Sequence, residues 1–343
     1  MFSIKTIDAQ DSLKVLKIIP FPNLGYSPET RWYIGGVALF NIDRFHDSIT
    51  RVSNIKPEIN FTQNKQVIIS INFNLYSKSN NWVVYGENSF SKFPENYWGI
   101  GNNTSEENIQ SYEANRIEFE NEFLHKILPS FYGGIKFRYE NIYNVTGTGE
   151  FLSDPGVQGN QGGISSGFGY NLQFDTRDNI LNAKSGSLLN FSNVFFSSAT
   201  GSEFNFINYE GDIRKFISIT GADIIGMQLK GVFNSGLPPF RMLALLGGDS
   251  DMRGYYNGRF RDNNYLSMQA EYRRFIWKFV GVAVFAGAGR VAPDLDFAIA
   301  GFKPSIGGGL RLRVDKQNDI NLRFDYAVGK NSSGFYVAFG EAF

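Results

Sequence analysis

The chain has 343 residues in which 33 Lys+Arg balance 33 Asp+Glu, so it lacks the basic field needed to gather nucleic acid or an anionic membrane surface. With no cysteine and two histidines, it has no disulfide framework, no thiolate metal centre and no thiol nucleophile. Glycine (37), phenylalanine (33) and tyrosine (17) are in excess, a composition that points to an all-β chain with a large apolar surface.

No segment has the 18 or so consecutive apolar residues of a spanning helix. The longest candidate, Phe279 to Gly289, ends at Arg290. The opening residues Met-Phe-Ser-Ile-Lys-Thr-Ile-Asp lack a basic stretch followed by an apolar one, so the chain is read as a mature form without its leader. Residues 1–13 are expected to be a short N-terminal segment, too short for a periplasmic domain. Strands are predicted at 14–26, 31–43, 48–61, 66–76, 81–90, 109–126, 131–145, 163–174, 187–196, 203–216, 222–234, 265–275, 279–289, 304–314, 320–328 and 335–343.

The period of two is strict in several of them. Val67, Ile69, Ile71, Phe73 and Leu75 alternate with Ser70, Asn72 and Asn74, and Phe168, Tyr170, Leu172 and Phe174 with Gly169, Asn171 and Gln173. Leu266, Met268 and Ala270 alternate with Ser267, Gln269 and Glu271, and Ile320, Leu322, Phe324 and Tyr326 with Asn321, Arg323 and Asp325. Soluble strands average five or six residues, whereas these runs reach about ten, the length a tilted strand needs to cross a bilayer. A mean hydropathy of −0.22 fits a barrel whose strands each turn half their residues to a polar lumen. The fold class expected is thus an all-β, transmembrane, antiparallel β-barrel of about sixteen strands spanning 14–343 as a single domain. If the first strand runs outward, the long connections (91–108, 146–162, 235–264 and 290–303) all lie outside, and short turns such as 77–80 and 315–319 lie inside.

Chemistry-bearing motifs are few. Gly163-Ile-Ser165-Ser-Gly167 has the spacing of a nucleophile elbow, but that elbow needs a helix to follow and here strand alternation continues. His46 and His125 read as loop or interfacial residues, and Asp294 with Asp296 as a solvated loop; no metal or cofactor is expected. Trp82, Trp98 and Trp277 fall near strand ends, where an aromatic girdle would sit. The strongest constellation is the run from Leu246 to Arg261, Leu-Gly-Gly-Asp-Ser-Asp-Met-Arg-Gly-Tyr-Tyr-Asn-Gly-Arg-Phe-Arg. A loop this long and this apolar gains by burial, so about 235–264 is expected to fold back into the lumen. There Arg253 needs an acidic partner, because an unpaired buried charge is very costly. Pro20 and Pro22 in the first strand cannot donate ladder hydrogen bonds, so closure against the last strand should be weakest there.

These features resemble the BamA/TamA/FhaC superfamily of sixteen-stranded outer-membrane assembly and secretion barrels. The matching residues are the loop tip Arg253-Gly254-Tyr255; the segment Gly25-Tyr-Ser-Pro-Glu-Thr-Arg-Trp; Tyr97-Trp-Gly-Ile-Gly-Asn; the turn motif Asp175-Thr-Arg177-Asp178 with Gly186; and a terminal Phe339-Gly-Glu-Ala-Phe343 like a β-signal. The resemblance implies a short, BamA-like form lacking periplasmic POTRA domains, integral to a Gram-negative outer membrane and related to surface antigens. It implies a loop latch at Arg253, Gly254 and Tyr255. The family's usual acidic partner is replaced by glycine in Phe285-Ala-Gly287-Ala-Gly289, which leaves Glu271 and Asp325 as candidates by alternation. It also implies a lateral seam carrying Pro20, Pro22, Phe335, Val337, Phe339 and Phe343.

The expected function is non-enzymatic: assisting insertion or translocation of proteins, or of lipid, through that seam. Expected partners are outer-membrane lipids, client polypeptides or a periplasmic partner protein, and no nucleic acid; the sequence leaves client and oligomeric state open. The alternatives are a lipid-acting barrel enzyme using Ser165 or another rim serine, and a passive channel or membrane anchor of a larger assembly.

Overall fold

A computed structural model describes residues 16–47, 49–180, 182–315 and 320–343. Among them, sixteen antiparallel strands close a barrel. The first half comprises β1 (Leu16–Ser27), β2 (Arg31–Ile42), β3 (Ser53–Thr62), β4 (Val67–Tyr76), β5 (Trp82–Tyr97), β6 (Gln110–Leu128), β7 (Phe131–Gly147) and β8 (Gly163–Asp175). The second comprises β9 (Gly186–Phe196), β10 (Phe206–Ser218), β11 (Asp223–Gly236), β14 (Asn264–Phe275), β15 (Val280–Ala292), β16 (Lys303–Asp315), β17 (Ile320–Gly329) and β18 (Ser332–Phe339). Between β11 and β14 the long loop makes its own hairpin of β12 (Ala244–Leu246) and β13 (Phe260–Asp262).

Each strand pairs with its sequence neighbour, β11 with β14 across the loop, and β18 returns to β1. The alternation read from sequence sets the two faces. Ile69, Ile71, Phe168, Leu172, Leu310 and Tyr326 are exposed on the outer wall, whereas Asn171, Glu271, Arg273, Arg311, Arg323 and Asp325 are buried inside. An exposed apolar outside and a charged inside is the reverse of a soluble protein and the pattern of a barrel in lipid. No helix among the described residues is long and apolar enough to cross a membrane; the strands make the crossing.

Several expected boundaries are corrected. The fifth strand does not stop at Phe90 but keeps its register with β6 to Tyr97↔Gln110, carried through Phe93-Pro94, where the apolar alternation lapses. The third begins at Ser53, after a turn in which Asp47 caps the amides of Ile49 and Thr50; Ser48 lies outside the described residues. The last strand begins at Ser332, because a tight turn with Asn331 at φ 55° joins it to β17. It ends at Phe339 instead of Phe343, because Gly340 at φ 83° turns the chain off the sheet. The segment 1–13, the expected strand start at Lys14 and most of the 315–319 turn lie outside the described residues.

Candidate functional site

The tip of the long loop meets the inward faces of β14 to β18. Arg253, 1% exposed, donates from Nη1 to Asp325 Oδ2 on β17 (2.7 Å). Its Nη2 stands 2.7 Å from Glu271 Oε2 on β14, a close ion pair not aligned as a hydrogen bond. The guanidinium carbon lies 3.4 Å from the ring centroid of Phe285 on β15, so the aromatic of the Phe285-x-Gly287-x-Gly289 run supports the arginine from below. Gly289, two residues beyond the glycine at the acidic position, makes room for the loop: a Cβ there would stand 3.2 Å from Met252. The two carboxylates named from alternation, Glu271 and Asp325, are thus both brought to Arg253.

The adjoining residues are built for that contact. Gly254 has φ 101°, and a Cβ on it would meet the Val328 and Gly329 backbone at 3.0 and 3.1 Å, so only glycine fits this position. Its amide donates to the Tyr336 hydroxyl on β18 at 2.9 Å. The Tyr255 hydroxyl donates to the Pro304 carbonyl at 2.8 Å and accepts from the Lys330 amide at 2.6 Å.

Around Arg253 extends a charge network that sequence reading missed. Arg311 on β16 reaches Asp325 Oδ1 (2.5 Å), Glu271 Oε1 (3.4 Å) and Glu341 Oε2 (2.7 Å). Arg273 on β14 reaches Glu271 Oε1 (2.6 Å), and Arg323 on β17 joins Asp325 (3.3 Å) to the loop's Asp249 (2.6 Å). Four arginines face four carboxylates, so the cluster is electrically balanced and each buried ion has a partner. The signal was available: Arg273, Arg311 and Arg323 hold polar positions in the same alternation that exposed Glu271 and Asp325.

Glu341 and Phe343 enter from beyond β18. The Phe343 ring is buried against Phe216 (centroids 6.1 Å) and its main-chain oxygen accepts from Arg273 Nη2 at 3.1 Å. Phe343 is therefore not a seam residue, contrary to the expectation of a final strand running through it; Gly340 swings it inside. The β8–β9 turn motif lies beneath. Asp175 holds Arg177 Nε (2.9 Å) and Asp178 Oδ1 accepts the amides of Lys184 and Ser185 (2.9 and 3.2 Å). Gly186 at φ 99° returns the chain to β9, and the turn's Ala183 carbonyl accepts from Arg273 Nη1 at 3.4 Å.

At the seam, β1 and β18 share one register pair among the described residues, Tyr26↔Val337, whereas β1 pairs with β2 without a break from Leu16↔Ile42 to Ser27↔Arg31. Pro20 and Pro22 stand within that unbroken ladder, so their missing donors face the side where β18 does not continue. Rings bridge the gap instead: Tyr26 with Phe335 (5.6 Å) and Phe21 with Phe339 (6.0 Å). The loop also touches both sides of the seam. Three residues from Gly254 and its bond to β18, the Asn257 amide donates to Glu29 Oε1 in the β1–β2 turn at 2.6 Å. Burial raises the Glu29 pKa above its ordinary value of 4.5, against the lowering effect of the Ser27 and Asn257 hydrogen bonds.

The remaining candidates fall elsewhere. Ser165 is buried on β8 opposite Glu140, while His125 packs on Trp82 (4.2 Å) and His46 lies 3.4 Å from Asp43. Asp294 accepts the Asp296 amide at 3.0 Å. Trp82 and Trp277 are exposed at strand ends, but Trp98 is buried against Tyr256 (5.1 Å) under the loop and is no part of a girdle.

A closed sixteen-strand barrel with an apolar outer wall and a charged inner wall defines an integral protein of the bacterial outer membrane. The Omp85 superfamily domain model matches residues 51–343, and the chain belongs to that superfamily, whose outer-membrane barrels insert or secrete proteins. Its fold is similar to BamA from Haemophilus ducreyi lacking POTRA domains 1–3 (TM-score 0.63, 12% identity, 95% of this chain and 70% of that one). It is also similar to CdiB from Acinetobacter baumannii (0.62, 11%, 95% and 60%) and CdiB from Escherichia coli (0.61, 11%, 96% and 63%). The chain spans less than two thirds of either CdiB chain. No curated protein sequence matches it.

Proposed function

We propose that this barrel is non-enzymatic and assists polypeptides to enter or cross the outer membrane through the β1/β18 seam, with the loop tip as the latch that holds the seam's two sides. The observation that carries the reading is that, among the described residues, β1 and β18 pair at Tyr26↔Val337 alone. An unpaired backbone group in hydrocarbon costs up to several kcal/mol, so the unpaired edge of β1 from Leu16 to Asn23 is the place where an incoming strand gains most by pairing. Arg253, bound to both Glu271 and Asp325, fixes the tip to the β18 side, and Asn257 bonded to Glu29 ties it to the β1 side. Against an enzymatic role, neither histidine is placed with Ser165: each has the other partner described above.

The test is in-cell photo-crosslinking from Pro22 and Phe339, with the outer-wall residue Phe119 as control. Polypeptide adducts at the two seam positions and not at the control are expected. Seam positions that give no more polypeptide adducts than Phe119 would overturn lateral passage.

A further inference from the structure

Among the described residues, the buried cations Lys136, Arg253, Arg273, Arg311 and Arg323 each face a carboxylate. A second group, on the outer mouth of the barrel, does not. Lys303, the first residue of β16, is 8% exposed, and among the described residues its ammonium has neither a hydrogen-bond acceptor nor an ion-pair partner; it stands 4.0 Å from the ring centroid of Phe260. Arg259 is buried beside it, its guanidinium carbon 4.3 Å from the same ring and 5.3 Å from that of Trp98. Its hydrogen bonds go to neutral oxygens only, the hydroxyl and carbonyl of Thr104, both at 2.9 Å. Lys330, exposed in the β17–β18 turn, adds a third positive charge that repels Lys303. The carboxylate acting on Arg259 from nearby is the exposed Glu106, which makes no ion pair with it among the described residues.

A cation over an aromatic face gains about 0.5 to 2 kcal/mol. Holding Lys303, Arg259 and Lys330 at one mouth adds a mutual repulsion that this contact does not offset. The two rings and the Thr104 oxygens therefore leave the repulsion among three neighbouring cations uncompensated. The geometry points to an anion site at the outer mouth, formed by Lys303 and Arg259 over Phe260 with Lys330 at its rim, that takes a phosphate group. A phosphate monoester brings about −1.5 to −2 charges and three acceptor oxygens, matching two or three cations whose donors lack charged acceptors. The same chemistry is offered by the headgroup of a phosphorylated outer-leaflet lipid and by a free phosphate.

The experiment is isothermal titration of the purified barrel in non-ionic detergent with inorganic phosphate, using chloride at equal ionic strength as control. Wild type should bind phosphate saturably, and Lys303→Met and Arg259→Gln should each bind at least about tenfold more weakly while keeping the different mobilities of unheated and boiled samples that mark a folded barrel. Phosphate should raise the melting temperature of wild type and leave that of Lys303→Met unchanged. Reconstitution in phosphatidylcholine vesicles with or without lipid A bearing phosphomonoesters separates the sources: loss of the phosphate titration only with lipid A assigns the site to the lipid, and an unchanged titration assigns it to a free anion. Absence of saturable phosphate binding by wild type, or undiminished binding by folded Lys303→Met, would overturn the site.

Discussion

Arg253 and Asp325, 72 residues apart in the chain, meet at 2.7 Å inside the barrel, and neither side chain is more than 1% exposed. The contact joins the tip of an otherwise separate loop to the strand preceding the seam strand. Its replacement has a calculable effect. Removing one partner of a buried ion pair costs about 3 to 5 kcal/mol, because the survivor is left charged and buried. In Arg253→Ala the sixteen-strand ladder remains while the loop loses its anchor, so proteolysis between Leu237 and Asn263 should accelerate with the gel shift of the folded barrel unchanged. Arg253→Ala with Asp325→Ala should be less damaging than the two losses added together, by about 0.5 to 3 kcal/mol. A loop as protected in Arg253→Ala as in wild type would make the residue dispensable.

Gly254→Ala should release the same tip by a different route. Alanine at φ 101° is strained by about 1 to 3 kcal/mol, and its methyl would press on the β17 backbone. Gly36→Ala is the control, since a Cβ there meets nothing within 4 Å. Protease protection of the loop should fall in the first variant and stay at the wild-type level in the second.

The seam makes a separate prediction about register. In this cysteine-free chain, Tyr26→Cys should crosslink to cysteines at Phe335, Val337 and Phe339 in more than one combination, since a pair held at one register position slips. Leu312→Cys and Leu322→Cys, in the continuous β16–β17 ladder, should give one product. A locked Tyr26→Cys/Val337→Cys disulfide should abolish the cellular function and leave heat-modifiability intact. Full activity of the locked barrel would exclude sideways opening.

Burial of Glu29 gives the folded barrel a pH dependence of defined sign. Its pKa is raised in the folded state, so the protonated form is favoured there. The associated stability is complete below the unfolded value of about 4.5 and is lost as pH rises through the higher folded value. The melting temperature of the barrel should therefore carry a Glu29 contribution that is greatest in acid and declines above pH 4.5, and Glu29→Gln should flatten that part of the profile. A profile identical in the variant would assign the dependence to another group.

Sequence alone determined the barrel, because a period of two over about ten residues has one physical solution when the outer face is apolar and the inner face is polar. It also singled out Arg253, whose buried charge demands a carboxylate, and the parity of β14 and β17 narrowed the partners to Glu271 and Asp325. Parity places a side chain on a face but not at a height along the strand or opposite a given loop atom. Only the closed tertiary structure, which fixes register between strands far apart in sequence, decided that Arg273, Arg311, Arg323, Asp249 and Glu341 share one network. The same holds for Phe343, which reads as a strand end but is turned inward at Gly340, and for Lys303, whose lack of a charged partner exists only once the surrounding loops are in place.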